Sequence, residues 1–332
     1  MNLLQSSFPL EPEPFALIAA EAALEVDEVK GRTQRLLDER IIREITPIFD
    51  TRALGYSSML VAAKVDHENP HRAAKIINEH PGVSHNYLRT HEFNLWFTIA
   101  TAPDSQLGLD GTLEVLQRLT GAESIRQLPT LVLFKINMNL EMERGTDALA
   151  SEVDAAPPRE LGRQQYDDVD VEVIRALQGP MAVTDRPYDA GAEQAGMSVE
   201  ALLDHLRGMV DRKLLRRVAA ILFHRRAGFS ANGMGVWRVP EDRILETGRR
   251  MAAVRGISHC YQRPTYPDWP YSVFTMAHGR SKEECDAILD RIADEHGLHG
   301  DDRAVLYSST EYKKVRLHYF VDDYARWEQE HG

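Results

Sequence analysis

Two short stretches of the chain place the same three reactive side chains at alternate positions. G-V-S-H-N-Y-L-R runs from 82 to 89, and G-I-S-H-C-Y-Q-R runs from 256 to 263. Alternate residues of a β-strand share a face, so His85, Tyr87 and Arg89 point one way, and His259, Tyr261 and Arg263 do the same. Polar groups on an inward face are costly without partners. The pattern therefore predicts a pocket for something anionic, with aromatic walls. Imidazole exchanges protons near neutral pH and guanidinium grips carboxylates, so the chemistry on offer is proton transfer and anion handling. A hydrogen-bonded core histidine beside a surface arginine is the plainer reading; the second copy of the triplet weighs against it.

Other residues extend the two sites. His91 adds an imidazole in the hairpin after the first triplet, followed by Asn94 and Trp96; the second half carries Trp269, Tyr271 and His278. Trp96 and Tyr271 taken alone read as core aromatics, and His278 reads equally as a surface or a site residue. Near the end, Lys313, Lys314 and Arg316 are either a charged strand edge that blocks pairing or clamps for a polyanion. Other chemistries lack their signatures. The chain has no G-x-G-x-x-G or phosphate loop, no G-x-S-x-G elbow and no compact metal cluster. Its two cysteines, Cys260 and Cys285, form no C-x-x-C, so no zinc, iron–sulfur or disulfide framework is expected.

The elements that must hold these residues are themselves duplicated. Residues 42–56 are answered 173 positions later by 215–229, and 82–89 are answered 174 positions later by 256–263. A period this long indicates a duplicated domain pair and not a solenoid. In the second half, 170–177, 188–196 and 198–213 read as helices. Ser198 caps the last of these, and Val199, Leu202, Leu203, Leu206, Met209 and Val210 form its apolar face. The alternating stretch 214–223 completes the layout of a winged helix-turn-helix. The first half matches it with helices at 14–22 and 25–38 and a strand at 41–49, its first helix reduced to Leu3 and Leu4.

A second module follows each time. In the first half it reads as strand 57–65, helix 70–80, strands 83–89 and 94–101, helix 111–120 and strand 130–138. In the second half the corresponding segments are 233–239, 241–254, 257–263, 271–278, 282–296 and 304–317. That is β-α-β-β-α-β, a ferredoxin-like unit. The fold expected is α+β in tandem: a degenerate winged helix-turn-helix over 1–56, a ferredoxin-like domain over 57–140, an acidic linker over 141–168, then the same pair over 169–229 and 230–332.

Of 332 residues, 43% are hydrophobic and 27% charged, as in a soluble globular protein. No apolar run is long enough to span a membrane and no signal peptide opens the chain, so no membrane association and a cytoplasmic location are expected. The formal charge of −12 weighs against DNA, whose phosphates demand Lys and Arg. The helices that would read DNA, 25–38 and 198–213, also begin with acidic residues.

A winged helix followed by a ferredoxin-like domain resembles the Lrp/AsnC architecture of transcriptional regulators, which pair through the sheets of their second domains. The resemblance implies an intramolecular pseudo-dimer, sheet facing sheet. More specifically, H-N-Y-L-R-T-H-E-F-N-L-W-F-T (85–98) and H-C-Y-Q-R-P-T-Y-P-D-W-P-Y-S-V-F-T-M-A-H-G (259–279) resemble the two subunit types of sirohaem decarboxylase, the NirD/NirL and AhbA/AhbB proteins, joined in one chain. The opening and closing segments resemble the same family. Ser272 departs from the asparagine expected there. The resemblance implies removal of the acetate carboxylates of rings C and D as CO₂, on the way to haem d1 or, by an alternative route, haem b; a chain that joins both subunit types points towards haem d1. The only iron implied is that of the substrate, with no cofactor or metal of the protein's own. A homodimer or association with related decarboxylase subunits is the further partnering it allows. On this reading His85, His91 and Arg89 act in a first-half pocket and His259 and Arg263 in a second-half pocket. Tyr87, Asn94, Trp96, Tyr261, Trp269, His278, Lys313 and Arg316 bind the substrate. A DNA-binding regulator and a non-catalytic sensor of a haem intermediate are the alternatives.

Overall fold

Each half opens with short amphipathic helices that must bury one face before any sheet is reached. A computed structural model describes the chain over residues 2–136, 163–222 and 231–332. The first unit comprises α1 (Asn2–Ser6), α2 (Pro14–Ala22), α3 (Val26–Asp38) and β1 (Ile42–Phe49). Its sheet domain follows as β2 (Ser57–Lys64), α4 (Pro70–Glu79), β3 (Val83–Arg89), β4 (Leu95–Thr101), α5 (Gly108–Thr120), β5 (Ser124–Leu128) and β6 (Val132–Ile136). The second half runs α6 (Asp168–Leu177), α7 (Asp189–Gln194), α8 (Val199–Asp211), β7 (Leu215–Leu222), β8 (Ala231–Trp237), α9 (Ile244–Ala253), β9 (Ile257–Gln262), β10 (Val273–Gly279), α10 (Lys282–His296) and β11 (Arg303–Lys314). A last helix, α11 (Asp323–His331), closes the chain.

In α8 the Ser198 hydroxyl accepts from the Ala201 N–H at 3.2 Å, the N-cap expected from the sequence. Leu202, Leu203, Leu206 and Met209 are buried, but Val210 at the end of the stripe is 37% exposed. The strands expected at 41–49 and 214–223 form as β1 and β7. β1 and β7 pair antiparallel with each other, across the two halves, as a two-stranded sheet. Each alone would be an apolar strand without a partner. Together they bring Ile45, Phe49, Leu215 and Val218 into one core shared by both helical units.

That core is anchored by a buried charge. Both Asp170 oxygens accept from Arg212 at 2.7 Å, and His205 Nε2 lies 2.7 Å from one of them. Asp167, Asp170 and His205 approach as metal ligands could, but the bidentate guanidinium already occupies the carboxylate. Burial alone would push the Asp170 carboxyl up; Arg212, the Asp167 N–H and His205 hold it below its ordinary value. A carboxyl depressed on folding gives stability that is present at neutral pH and lost as pH falls through its folded value. Asp170→Ala should therefore cost about 3 kcal/mol in denaturant unfolding at pH 7, and progressively less as pH falls below the ordinary carboxylate value of 3.8.

The sheet domains share one ribbon, in the order β5-β2-β4-β3-β11-β8-β10-β9-β6. Within each half the order is that of a ferredoxin-like sheet, but the strand closing the first one is not at 130–138. β5 closes it, against β2, and β6 crosses to pair with β9 of the second half. β11 does the reciprocal: Arg303 to Tyr307 pair with β8, and Ser308 to Lys314 pair with β3 of the first half. After its fourth strand each half thus lends a strand to the other. Phe134 on β6 is fully buried in the second half's helix-side core. It fits because residue 248 of α9 is glycine: a Cβ there would lie 2.3 Å from the Phe134 ring.

Helices cover the outer faces of the two sheets. The inner faces meet through Ala62, Phe93, Trp96 and Leu128 of one half and Met234, Val236, Trp269, Phe274 and Leu306 of the other. The chain is therefore an intramolecular pseudo-dimer with sheet against sheet. Residues 315–332 return over the first half. Trp327 packs edge-on to His80 with centroids 4.5 Å apart, and Tyr319 and Tyr324 join the helical core. α11 was not expected from the sequence, because only Tyr324 and Trp327 of its residues are buried. The expected linker lies outside the described residues as far as 162; beyond that the Gln164 N–H docks on the Ala53 carbonyl at 2.8 Å. No described helix is long and apolar enough to cross a membrane.

Candidate active site between the two sheets

The duplicated triplets lie on equivalent strands, β3 and β9, both on the inner face. A cavity of about 560 Å³ between the sheets is lined by His85, Tyr87, Arg89, Trp96, His259, Tyr261, Arg263, Phe274 and His278, with Leu60, Thr98, Asn232, Met234, Thr275 and Met276. Two pockets, one per half, were expected. Both triplets instead face one cavity, because the strand exchange through β6 and β11 turns the two inner faces toward each other. Its volume is that of a site for a medium-sized organic ligand, and its wall is mostly apolar with a few converging polar groups.

The two triplets match in detail. Ring centroids of His85 and Tyr87 are 6.2 Å apart at 30°, and those of His259 and Tyr261 are 6.0 Å apart at 31°. Arg89 lies over Tyr87 and Trp96, each at 5.9 Å, and Arg263 lies over Tyr261 at 4.9 Å and Phe274 at 5.4 Å. Each guanidinium reaches the opposite half. Arg89 Nη1 donates to the Leu306 carbonyl at 3.1 Å, and Arg263 Nη1 donates to the Leu128 carbonyl. Both Nε atoms are sealed and lack a partner. Burial lowers both guanidinium pKa values to about 10, so both remain cations at neutral pH, incompletely satisfied and beside the cavity. That is a standing demand for an anion.

Burial lowers the His85 pKa, and Lys314 and Arg43 lower it further, so it is mostly neutral at pH 7. His278 and Asn232, register partners in the β10–β8 ladder, also line the cavity.

The remaining candidates are placed elsewhere. His91 does not line the cavity: its Nδ1 accepts from the Phe93 N–H at 3.0 Å, and its ring meets Trp269 edge-on at 5.2 Å. Trp269 is buried in the cluster behind the cavity wall, against Phe93, Trp96 and Tyr271. Asn94 braces the chain, accepting from the Val65 N–H and donating to its carbonyl, both at 3.0 Å. Ser272 makes the same pair of bonds with Val239, at 3.3 and 3.2 Å, so the departure from asparagine keeps the structural role. Lys313 donates to the Asn78 carbonyl at 2.7 Å, capping the end of α4. Arg316 donates to the Pro47 carbonyl at 2.6 Å and to the Thr46 hydroxyl. These two cations tie elements together outside the cavity, where carbonyls take the place expected for substrate carboxylates.

Sequence reasoning passed over Ser84 and Ser258. The Ser84 Oγ lies 3.0 Å from His85 Nδ1, and the Ser258 Oγ lies 2.6 Å from His259 Nδ1. Their signal was present in the duplicated G-x-S-H.

Comparison with known proteins places this geometry in a family. A family model described as the AsnC-like ligand binding domain matches residues 53–135 and 226–313. A second, described as the siroheme decarboxylase NirDL-like HTH domain, matches 1–43 and 170–216. The chain is 37% identical to a siroheme decarboxylase of Hydrogenobacter thermophilus, over 99% of this chain and 96% of that one. It is 32% identical to the siroheme decarboxylase NirDL subunit of Paracoccus denitrificans, over 86% and 85% of the two chains. The siroheme decarboxylase beta subunit of Methanosarcina barkeri, at 37% identity, matches 46% of this chain with 99% of its own. A crystal structure of the siroheme decarboxylase NirDL in co-complex with an iron-uroporphyrin III analogue superposes with a TM-score of 0.78 at 34% identity, covering 99% of this chain and 96% of that one.

Proposed function

The chain belongs to the sirohaem decarboxylase family, and we propose that it is a carboxy-lyase that removes the acetate carboxylates of rings C and D of sirohaem as CO₂ in the inter-sheet cavity. The observation that carries this reading is the pair of unsatisfied, aromatic-stacked arginines beside paired histidines in one cavity. A relative of the same architecture is known with an iron-uroporphyrin analogue, and the ligand proposed here is likewise a flat macrocycle rimmed with carboxylates.

The chemistry asks little more of the protein. Loss of CO₂ from an acetate on a pyrrole leaves a methylene to be protonated, with the macrocycle holding the electron pair. Arg89 and Arg263 hold reacting or neighbouring carboxylates in line. His85 and His259 deliver the proton, and Tyr87, Tyr261, Trp96 and Phe274 wall the ring. His278 serves as a donor to a spectator carboxylate. His91 acts at one remove, by seating Trp269. The iron arrives with the substrate.

Proton delivery requires imidazolium, and burial with the neighbouring cations disfavours it at His85. A polyanionic ligand reverses that bias, so binding should raise the His85 pKa and take up a proton. The sign follows from linkage: between the free value, below 6.5, and the bound value, affinity falls as pH rises, by up to about tenfold per unit. Calorimetric titration at pH 7 in buffers of different ionisation heat should read net proton uptake; release or no exchange would contradict the assignment.

The function itself is tested by anaerobic incubation of the purified protein with sirohaem, following product mass. Loss of two CO₂ units is expected. Unchanged sirohaem, bound but intact, would favour a sensor of the same ligand.

A further inference from the structure

Neighbouring residues of a regular strand point to opposite faces, so a serine should not reach the ring of the histidine beside it. Here it does so twice. In the β3–β4 ladder, Val83 pairs with Ile99 and His85 with Thr98, leaving Ser84 as an extra residue. In the β9–β10 ladder, Ile257 pairs with Ala277 and His259 with Met276, leaving Ser258 in the same position. Each is the added residue of a β-bulge, the device that re-aims side chains beside active sites. The bulge brings each hydroxyl onto its neighbour's Nδ1, at 3.0 and 2.6 Å.

We propose that Ser84 and Ser258 are positioning residues for the cavity histidines: each bulge holds its neighbour's Nδ1 and turns the Nε2 edge toward the substrate. In the second half the Ser258 hydroxyl has a second acceptor, the Met276 carbonyl at 3.4 Å, to which its proton is directed in this arrangement. The same oxygen then accepts from the Nδ1–H of His259, and neutral His259 carries its lone pair on Nε2. Among the described residues the Ser84 hydroxyl meets no such second carbonyl, and it can rotate to match either form of His85. The two histidines are thus held alike in space and unlike in proton freedom.

This inference deepens the decarboxylase reading and rests on it for the word substrate; the test has one arm that does not. In protein labelled with ¹⁵N at histidine, ring-nitrogen spectra without ligand should show neutral His259 as the Nδ1–H form. Ser258→Ala should give a mixture, and Ser258→Thr, which keeps a hydroxyl, should restore the single form. With sirohaem, Ser84→Ala and Ser258→Ala should each lower kcat about ten- to a hundred-fold with KM within about twofold, and shift the alkaline limb of the pH profile, where the imidazolium loses its proton. The threonine variants should recover both. Tautomer ratios and pH profiles unchanged in the alanine variants, with melting temperatures preserved, would overturn the proposal. So would threonine variants that fold yet behave as alanine. An enzyme inert towards sirohaem would sink the decarboxylase reading while leaving the spectra to decide the role of Ser258.

Discussion

His85→Ala and His259→Ala should each fold as the parent and decarboxylate sirohaem about 10²- to 10⁴-fold more slowly, the range for loss of a positioned general acid. Folding should survive because both rings stand at the cavity wall and lean on a tyrosine and a serine, not on the helix-side cores. Product analysis adds a second reading. Two independent pockets would let each single variant lose one CO₂ at the parental rate. A shared cavity, with both triplets on one macrocycle, predicts that each variant impairs handling of the whole substrate. The double variant should then fall by less than the product of the single effects, as for groups that act together.

The second large effect is expected at the arginines. Arg89→Ala and Arg263→Ala should lower kcat/KM by about 10²- to 10³-fold, the scale for removing one preorganised donor. Lysine should rescue poorly, since it lacks both the fork and the planar face that stacks on Tyr87 or Tyr261. A side chain in a pocket should matter more to turnover than to folding, and the structure adds a cost to folding. Each guanidinium also crosses to a carbonyl of the other half, so each alanine variant should lose about 1–3 kcal/mol of stability as well. Denaturant unfolding beside single-turnover rates separates the two losses. Parental rates in both variants would remove the arginines from the site.

What could be read from the sequence follows local periodicity. His85, Tyr87 and Arg89 share a face because strand side chains alternate, and the duplication marked the second triplet without any partner information. Ser198 announced its helix through capping chemistry. What could not be read depends on pairing between distant segments. That β6 belongs to the second sheet and the end of β11 to the first is decided by which exposed edge each strand meets. Nothing in 132–136 or 308–314 states it. One cavity in place of two follows directly from that exchange.

Lys313 and Arg316 misled for a related reason: a cation near a strand end suits an anionic ligand and a row of carbonyls equally, and only the packed structure supplies the carbonyls. Ser84 and Ser258 were passed over because strand alternation puts them on the far face, and bulges break that rule. Asn94 and Ser272 differ in type and agree in work, each clasping one backbone residue of the neighbouring strand.

The claim on which the account depends is that both halves serve one substrate molecule. Titration of the purified chain with sirohaem under anaerobic conditions, read by absorbance at protein concentrations well above the dissociation constant, counts the sites. One molecule per chain, with the same break point lost in Arg89→Ala and in Arg263→Ala, is the result predicted. Two molecules per chain, with one surviving in each single variant, would mean a separate pocket in each half and would contradict it.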